Sequence, residues 1–175
     1  MLEKCRLKKK EKAIYEYISY YDHAKAFCDF IYHKNGHRYY PFHEQLYGIS
    51  YLDIDTLEVF HYVPQGYDND YGAVCGESFI VTDIHYDKET DLISYGGCYW
   101  GSTCDVMAGD FSQPLNFDPR LVSVHEIIDP EYEECDDINF AAWENGILRV
   151  AVDYEGKQVE ISGRELLERI KAIEG

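Results

Sequence analysis

Two periods divide the chain. Up to about residue 34, apolar or long side chains recur every three or four positions: Ile14, Ile18, Tyr21, Lys25, Cys28 and Ile31 or Tyr32, with Phe27 beside them. That spacing predicts an amphipathic helix over roughly 10–34, interrupted near Tyr20-Tyr21-Asp22, where Asp22 can cap a second segment. Asn35-Gly36 supplies the stop, because both residues tolerate the left-handed backbone that ends helices. After His37 the period falls to two. Strands are expected at Ile49–Ile54, Leu57–Val63, Phe79–Tyr86, Leu92–Tyr99 and Leu121–Ile128. A meander follows, made of Ile138–Trp143, Ile147–Tyr154 and Gln158–Ile161. Its first turn is Asn145-Gly146, a pair suited to the two positive φ angles of a tight hairpin.

Ser162-Gly163-Arg164-Glu165 has the form of a capping box, with Ser162 accepting from the Glu165 amide. Leu166, Leu167, Ile170 and Ile173 then mark one face of a closing helix. The pattern predicts a single α+β domain over residues 1–175, built on an antiparallel sheet of about six to eight short strands. An N-terminal helical segment (1–36) and a C-terminal helix (162–175) flank a mainly β part (37–161). The longest irregular stretches expected are Pro64–Glu77 and Gly101–Arg120.

Composition narrows the class. Apolar residues make up 46% and aromatics 15% of 175 residues, too many for a disordered tail, and no apolar run is long enough to span a membrane. Met1–Lys12 carries six basic and two acidic side chains with no apolar segment behind it, so no export signal is read and a cytoplasmic protein is expected. The six cysteines are then expected to be reduced thiols. The net charge is −17, and its distribution is uneven. Between residues 39 and 163, 25 acidic side chains face four basic ones, whereas both ends are neutral or basic. Direct binding to nucleic acid is excluded as a general function, because that affinity comes from neutralising phosphates. The basic N-terminus is expected to be screened by the acidic remainder.

Candidate chemistry is sparse. His33 and His37 have the spacing of a helical metal pair, with His43-Glu44 nearby, but Asn35-Gly36 falls between the two histidines and makes the spacing uninformative. His61, His85 and His125 lie in expected strands, where half-buried structural histidines are the common case. Gly96-Gly97-Cys98-Tyr99-Trp100-Gly101-Ser102-Thr103-Cys104-Asp105 is the most unusual stretch. It admits an enzyme reading, with Cys98 or Cys104 attacking and His125 or His85 as base. With no cation near in sequence to favour a thiolate, the stretch reads rather as a strand turning into a short helix capped by Ser102 or Thr103. Asp68-Asn69-Asp70 begins like a calcium loop, but Ala73 and Phe79 occupy positions where such a loop needs Gly and Glu. No metal or cofactor is expected.

Two acidic segments contain tyrosines: Tyr67, Asp68, Asp70 and Tyr71 in one, and Asp129, Glu131, Tyr132, Glu133, Glu134, Asp136 and Asp137 in the other. Carboxylates beside tyrosines suit a lysine- or arginine-rich protein surface, which the negative field also steers. In this profile the chain resembles bacterial toxin-immunity proteins, which are small, acidic α+β domains without catalytic motifs. The resemblance implies an inhibitor that covers the active site or functional surface of a basic toxin, a nuclease for example, through those eleven residues. The alternatives are an acidic nucleic-acid mimic, the cysteine enzyme above, and a regulatory subunit of a mobile-element system.

Overall fold

A computed structural model describes residues 25–26, 30–43, 49–62, 67–68, 72–73, 79–99, 103–116, 121–129, 137–153 and 157–174. Among them the backbone is mostly antiparallel β, with two helices and the 3-10 turn Pro114–Asn116. The first sheet contains β1 (Lys25–Ala26), β2 (Ile31–Tyr32), β3 (Arg38–His43), β4 (Ile49–Asp53) and β5 (Val59–Tyr62). β1 and β2 share one edge of β3, β2 pairing with Arg38 and Tyr39, and β1 with Phe42 and His43. Pro41 has no N–H to donate, and it falls in the gap between those two short partners. A two-stranded ribbon follows, β6 (Tyr67–Asp68) with β7 (Gly72–Ala73).

The second sheet runs in the order β11-β10-β9-β8, from β8 (Phe79–Asp87), β9 (Leu92–Tyr99), β10 (Cys104–Asp110) and β11 (Val122–Ser123). Helix α1 (Val124–Ile128) starts directly after it, with the Ser123 side chain accepting from the Glu126 amide at 3.1 Å. The third sheet is the meander β12 (Ile138–Glu144), β13 (Ile147–Val152) and β14 (Lys157–Ser162), which leads into α2 (Gly163–Glu174).

Alternation along β9 and β10 makes the second sheet the middle layer. Leu92, Val106 and Ala108 join Ile138, Leu148, Val150, Ile161, Leu166 and Ile170 from the meander and α2 in one core. Ile93, Tyr95 and Met107 project to the other face, against Ile31, Tyr39, Ile49 and Tyr51 of the first sheet and Phe111. There the Tyr51 and Tyr95 hydroxyls bond to each other. Tyr40, Phe42, Leu52 and Ile54 form a third cluster on the far side of the first sheet.

Several expectations are corrected. The N-terminal helix over 10–34 lies largely outside the described residues, but where the chain is described it is strand, at Lys25–Ala26 and Ile31–Tyr32. Ile31 is buried and Tyr32 exposed, so pairing with β3 decided a segment whose aromatic spacing fitted a helix equally well. The one sheet is three sheets and a ribbon. Residues 104–110, expected to be irregular or a short helix capped by Ser102 or Thr103, are a middle strand buried from 105 to 109, and 38–43 add a strand that was not expected. Leu121–Ile128 breaks at Ser123 into strand and helix, because the Ser123 cap satisfies an amide that a continuing strand would have paired. Ser162 Oγ accepts from Arg164, at 3.3 Å, and Glu165 pairs with Arg169 at 3.2 Å, so the capping box is not made as expected.

The hairpin at Asn145-Gly146 has the required positive φ angles, 53° and 72°. β9 has the bounds of the period-two reading, and the three meander strands lie within two residues of theirs. Gly96 and Gly97 are explained by close approach. Opposite them β8 carries a bulge between Val81 and Asp83. A Cβ on Gly97 would lie 2.8–2.9 Å from the Phe79 ring and closer still to the Ile80 carbonyl. Gly97→Ala is therefore expected to lower stability by about 1–3 kcal/mol through overpacking, read as a shift in the urea midpoint at unchanged slope.

Candidate binding cleft

An open cleft of about 540 Å³ lies where the three sheets meet. Its walls are Phe30, Ile31 and Tyr32 beside and in β2, Ile84, His85, Tyr86 and Lys88 in or just after β8, and Phe140, Ala142 and Trp143 in β12. Six of these ten side chains are aromatic rings, counting His85.

The rings are held by a chain of causes that begins at a glycine. The space a Gly96 side chain would fill is taken by the Asp83 carboxylate. From there Asp83 accepts from His85 Nε2 at 3.0 Å and from Thr82 Oγ1 at 3.0 Å. The His85 bond, opposed by burial, holds the Asp83 carboxyl below its ordinary pKa. Thus fixed, the imidazole lies flat on Phe140, with ring centroids 3.5 Å apart and planes 5° from parallel. β12 has its own bulge between Phe140 and Ala142. Trp143 is anchored by its indole N–H to Ser94 Oγ at 2.9 Å.

Tyr86 donates to Asp91 at 2.6 Å, and burial together with that bond pushes its phenol pKa well up. Asp91 is buried and also pairs with Lys34 and, at 3.5 Å, with His33. His33 Nε2 reaches the Phe111 carbonyl at 2.9 Å. This network ties the β2–β3 turn to the β8–β9 turn and so keeps one side of the cleft in place. Tyr32, 61% exposed, stands at the lip. The arrangement offers stacking faces and one cation, Lys88.

Among the described side chains, the histidines fall in separate places. His33 belongs to the network just described. His37 pairs with Asp53 at 2.6 Å, His85 belongs to the cleft, and His125 is buried in α1. His43 lies in β3 and His61 in β5. Among the described residues no group of three or more metal-ligating side chains is set to hold an ion, and no helix is long and apolar enough to cross a membrane. The Cys98 and Cys104 thiols are free and half-buried. Burial, the Asp137 carboxylate and Cys98 raise the Cys104 thiol pKa, the reverse of what an attacking thiolate needs.

Of the expected partner-binding residues, Tyr67 and Asp68 form β6. Asp70, Tyr71, Glu131, Tyr132, Glu133, Glu134 and Asp136 lie outside the described residues. Asp129 is buried at the end of α1, where its amide donates to the His125 carbonyl at 2.8 Å. Asp137 accepts from the Cys104 amide at 2.8 Å, and its own amide donates to Asp153 at 3.2 Å.

Among the described residues, every buried carboxylate is an aspartate. Asp53, Asp87, Asp91, Asp105 and Asp129 are buried, whereas Glu58, Glu89, Glu126, Glu144, Glu160, Glu165 and Glu168 are all exposed. The short aspartate side chain reaches backbone amides just ahead of it in turns. Asp53 accepts from the Asp55 and Thr56 amides at 2.8 and 3.1 Å, Asp87 from Thr90 at 2.9 Å, and Asp110 from Ser112 at 2.8 Å. Part of the acidic surplus is therefore structural, and among the described residues the exposed carboxylates are these glutamates and Asp55.

The His37–Asp53 pair has a pH signature. The Asp53 bond and charge raise the His37 pKa above 6.5. Burial alone would raise Asp53, but the bonds from His37 and the two turn amides outweigh it and bring the carboxyl below 3.8. The pair's stabilisation is therefore full between about pH 4 and 6.5. It falls away as pH rises through the raised His37 pKa, and again as pH drops through the lowered Asp53 pKa. In Asp53→Asn, the NMR titration midpoint of His37 is expected to move down toward its ordinary value.

Compared with protein-family models, with curated protein sequences and with solved structures, the chain matches none of them.

Proposed function

We propose that the chain is a partner-binding protein of the toxin-immunity type, whose partner is a basic protein that it covers and inhibits. The observation that supports this most is the aromatic cleft in a strongly acidic chain. Ring faces attract guanidinium and ammonium groups, aromatic side chains and arginines dominate interface hot spots, and the exposed glutamates steer a basic partner and raise its association rate. The thiols, with the Cys104 pKa raised, do not recommend the enzyme reading.

The expected contact residues are Tyr67, Asp68, Asp70, Tyr71, Glu131, Tyr132, Glu133, Glu134 and Asp136, with Tyr32 and Trp143 at the cleft. Asp129 and Asp137 serve inside the fold and are left out of the test. Affinity capture from the native host at low salt is expected to yield one strongly basic protein that elutes as salt is raised. Glu133→Lys, Glu134→Lys and Asp136→Lys together should weaken its binding by about 10-fold or more, and Lys88→Glu should tighten it, with the thermal midpoints unchanged. Recovery of no basic protein would overturn the reading.

A further inference from the structure

We propose that Cys98 and Cys104 are a redox-modified site: a cross-strand pair that closes reversibly to a disulfide when a small-molecule disulfide such as oxidised glutathione accepts two electrons. The argument rests on register. β9 and β10 pair without a bulge from Leu92↔Asp110 to Cys98↔Cys104, so the two cysteines are directly opposite. Whether opposed residues can be bridged depends on their place in the antiparallel ladder, which alternates between hydrogen-bonded pairs and closer, non-hydrogen-bonded ones.

Two separate observations set the phase. Just beyond the open end of the ladder, the Phe111 amide donates to the Asp91 carbonyl at 2.8 Å, which makes 91 and 111 a hydrogen-bonded pair. Counting along the unbroken register, 92–110, 94–108, 96–106 and 98–104 are then the non-hydrogen-bonded pairs. At the other end the Cys104 amide turns away from β9 and donates to Asp137 Oδ1 at 2.8 Å, as a residue of that kind must. Both routes place Cys98 and Cys104 at the close spacing, with Cα atoms about 4.5 Å apart. That is inside the span a disulfide bridges, roughly 4.4–6.8 Å, and near its short end.

Both side chains project from the same face of the sheet and are half-exposed, so a small disulfide can reach them. In the exchange one protein thiolate attacks oxidised glutathione and expels a glutathione thiolate. The second protein thiolate then attacks the mixed disulfide and expels the other. Two protein thiols and one oxidised glutathione become one protein disulfide and two reduced glutathiones. A bond closed at the short end of the allowed span is strained and readily reduced, which is what reversible modification requires. Oxidation also alters the Cys104 side chain, whose own backbone amide donates to Asp137. Since Asp137 is where the acidic segment enters β12, the redox state acts on the anchor of that segment.

The test is to incubate the folded chain with oxidised glutathione at about pH 8.5, near the pKa of an ordinary thiol, quench with iodoacetamide and map peptides by mass. The expected product is a Cys98–Cys104 link that dithiothreitol reverses. The reduced chain should take up one phenylarsine oxide, and Cys98→Ser or Cys104→Ser should each lose that uptake and stop at a stable glutathione adduct on the remaining cysteine. A wild-type map in which both cysteines stay alkylated, either keeps glutathione, or either links to another cysteine would overturn the proposal. That map decides the matter even if a serine variant fails to fold.

Discussion

Asp105→Ala is expected to lower the unfolding free energy by about 3–5 kcal/mol, as breaking a buried, charged hydrogen-bond centre does. Asp105 is only 3% exposed and holds three donors at once: the Ser123 hydroxyl at 2.6 Å, its neighbour Val106's amide at 2.7 Å and the His125 amide at 3.0 Å. It thus joins the middle strand β10 to β11 and to the first turn of α1. Alanine would leave those donors buried without it. Asp105→Asn keeps an oxygen for the two amides and should cost only about 1–2 kcal/mol. Burial raises the Asp105 pKa despite its three bonds, so ionising this group works against folding as pH rises from 3.8 through the raised value. The asparagine variant should flatten that part of the stability profile. Urea unfolding at several pH values measures both effects, and an alanine variant within about 1 kcal/mol of the wild type would contradict them.

Leu148→Ala is expected to be similarly severe, at about 2–5 kcal/mol. Leu148 is wholly buried in β13, in the core where Leu92, Val106, Leu166 and Ile170 meet, so the middle sheet, the meander and α2 all border the cavity left behind. Ile173, one turn beyond Ile170 on the same helix, is 51% exposed. Ile173→Ala should stay within about 0.5 kcal/mol of the wild type. The pair of measurements tests which part of the apolar stripe on α2 faces the core.

That stripe also shows how much of the fold could be read from sequence. Leu166, Leu167, Ile170 and Ile173 marked the helix correctly, and Asn145-Gly146 marked its hairpin, because both signals act within a few residues. β1, β2, β3 and β10 carried no such signal. Arg38–His43 has two adjacent tyrosines and a proline, so it does not alternate, and it is a strand because β4 lies beside it. Residues 105–109 are buried on both faces, so no alternation of exposed and buried positions reveals a period of two.

The candidate site was less legible still. Sequence drew attention to Gly96-Gly97 and to the thiols, but for chemistry, whereas Gly96 makes room for a carboxylate 13 positions earlier. That carboxylate aims His85 at Phe140, far along the chain. A turn-forming aspartate does have a local signature, an oxygen two or three residues ahead of an amide, as at Asp53, Asp87 and Asp110. Reading it would have divided structural acids from surface acids.

By itself the sequence determined the β-rich character, the meander, the closing helix and the acidity, each a sum of local propensities and counts. Only tertiary structure decided what the charges are for and where the aromatic rings go. An aspartate becomes an internal anchor when unpaired amides converge on it, and edge strands from three sheets become a cleft when two cores, on opposite faces of one sheet, hold them there. Both outcomes depend on groups far apart in sequence, so no window along the chain contains them.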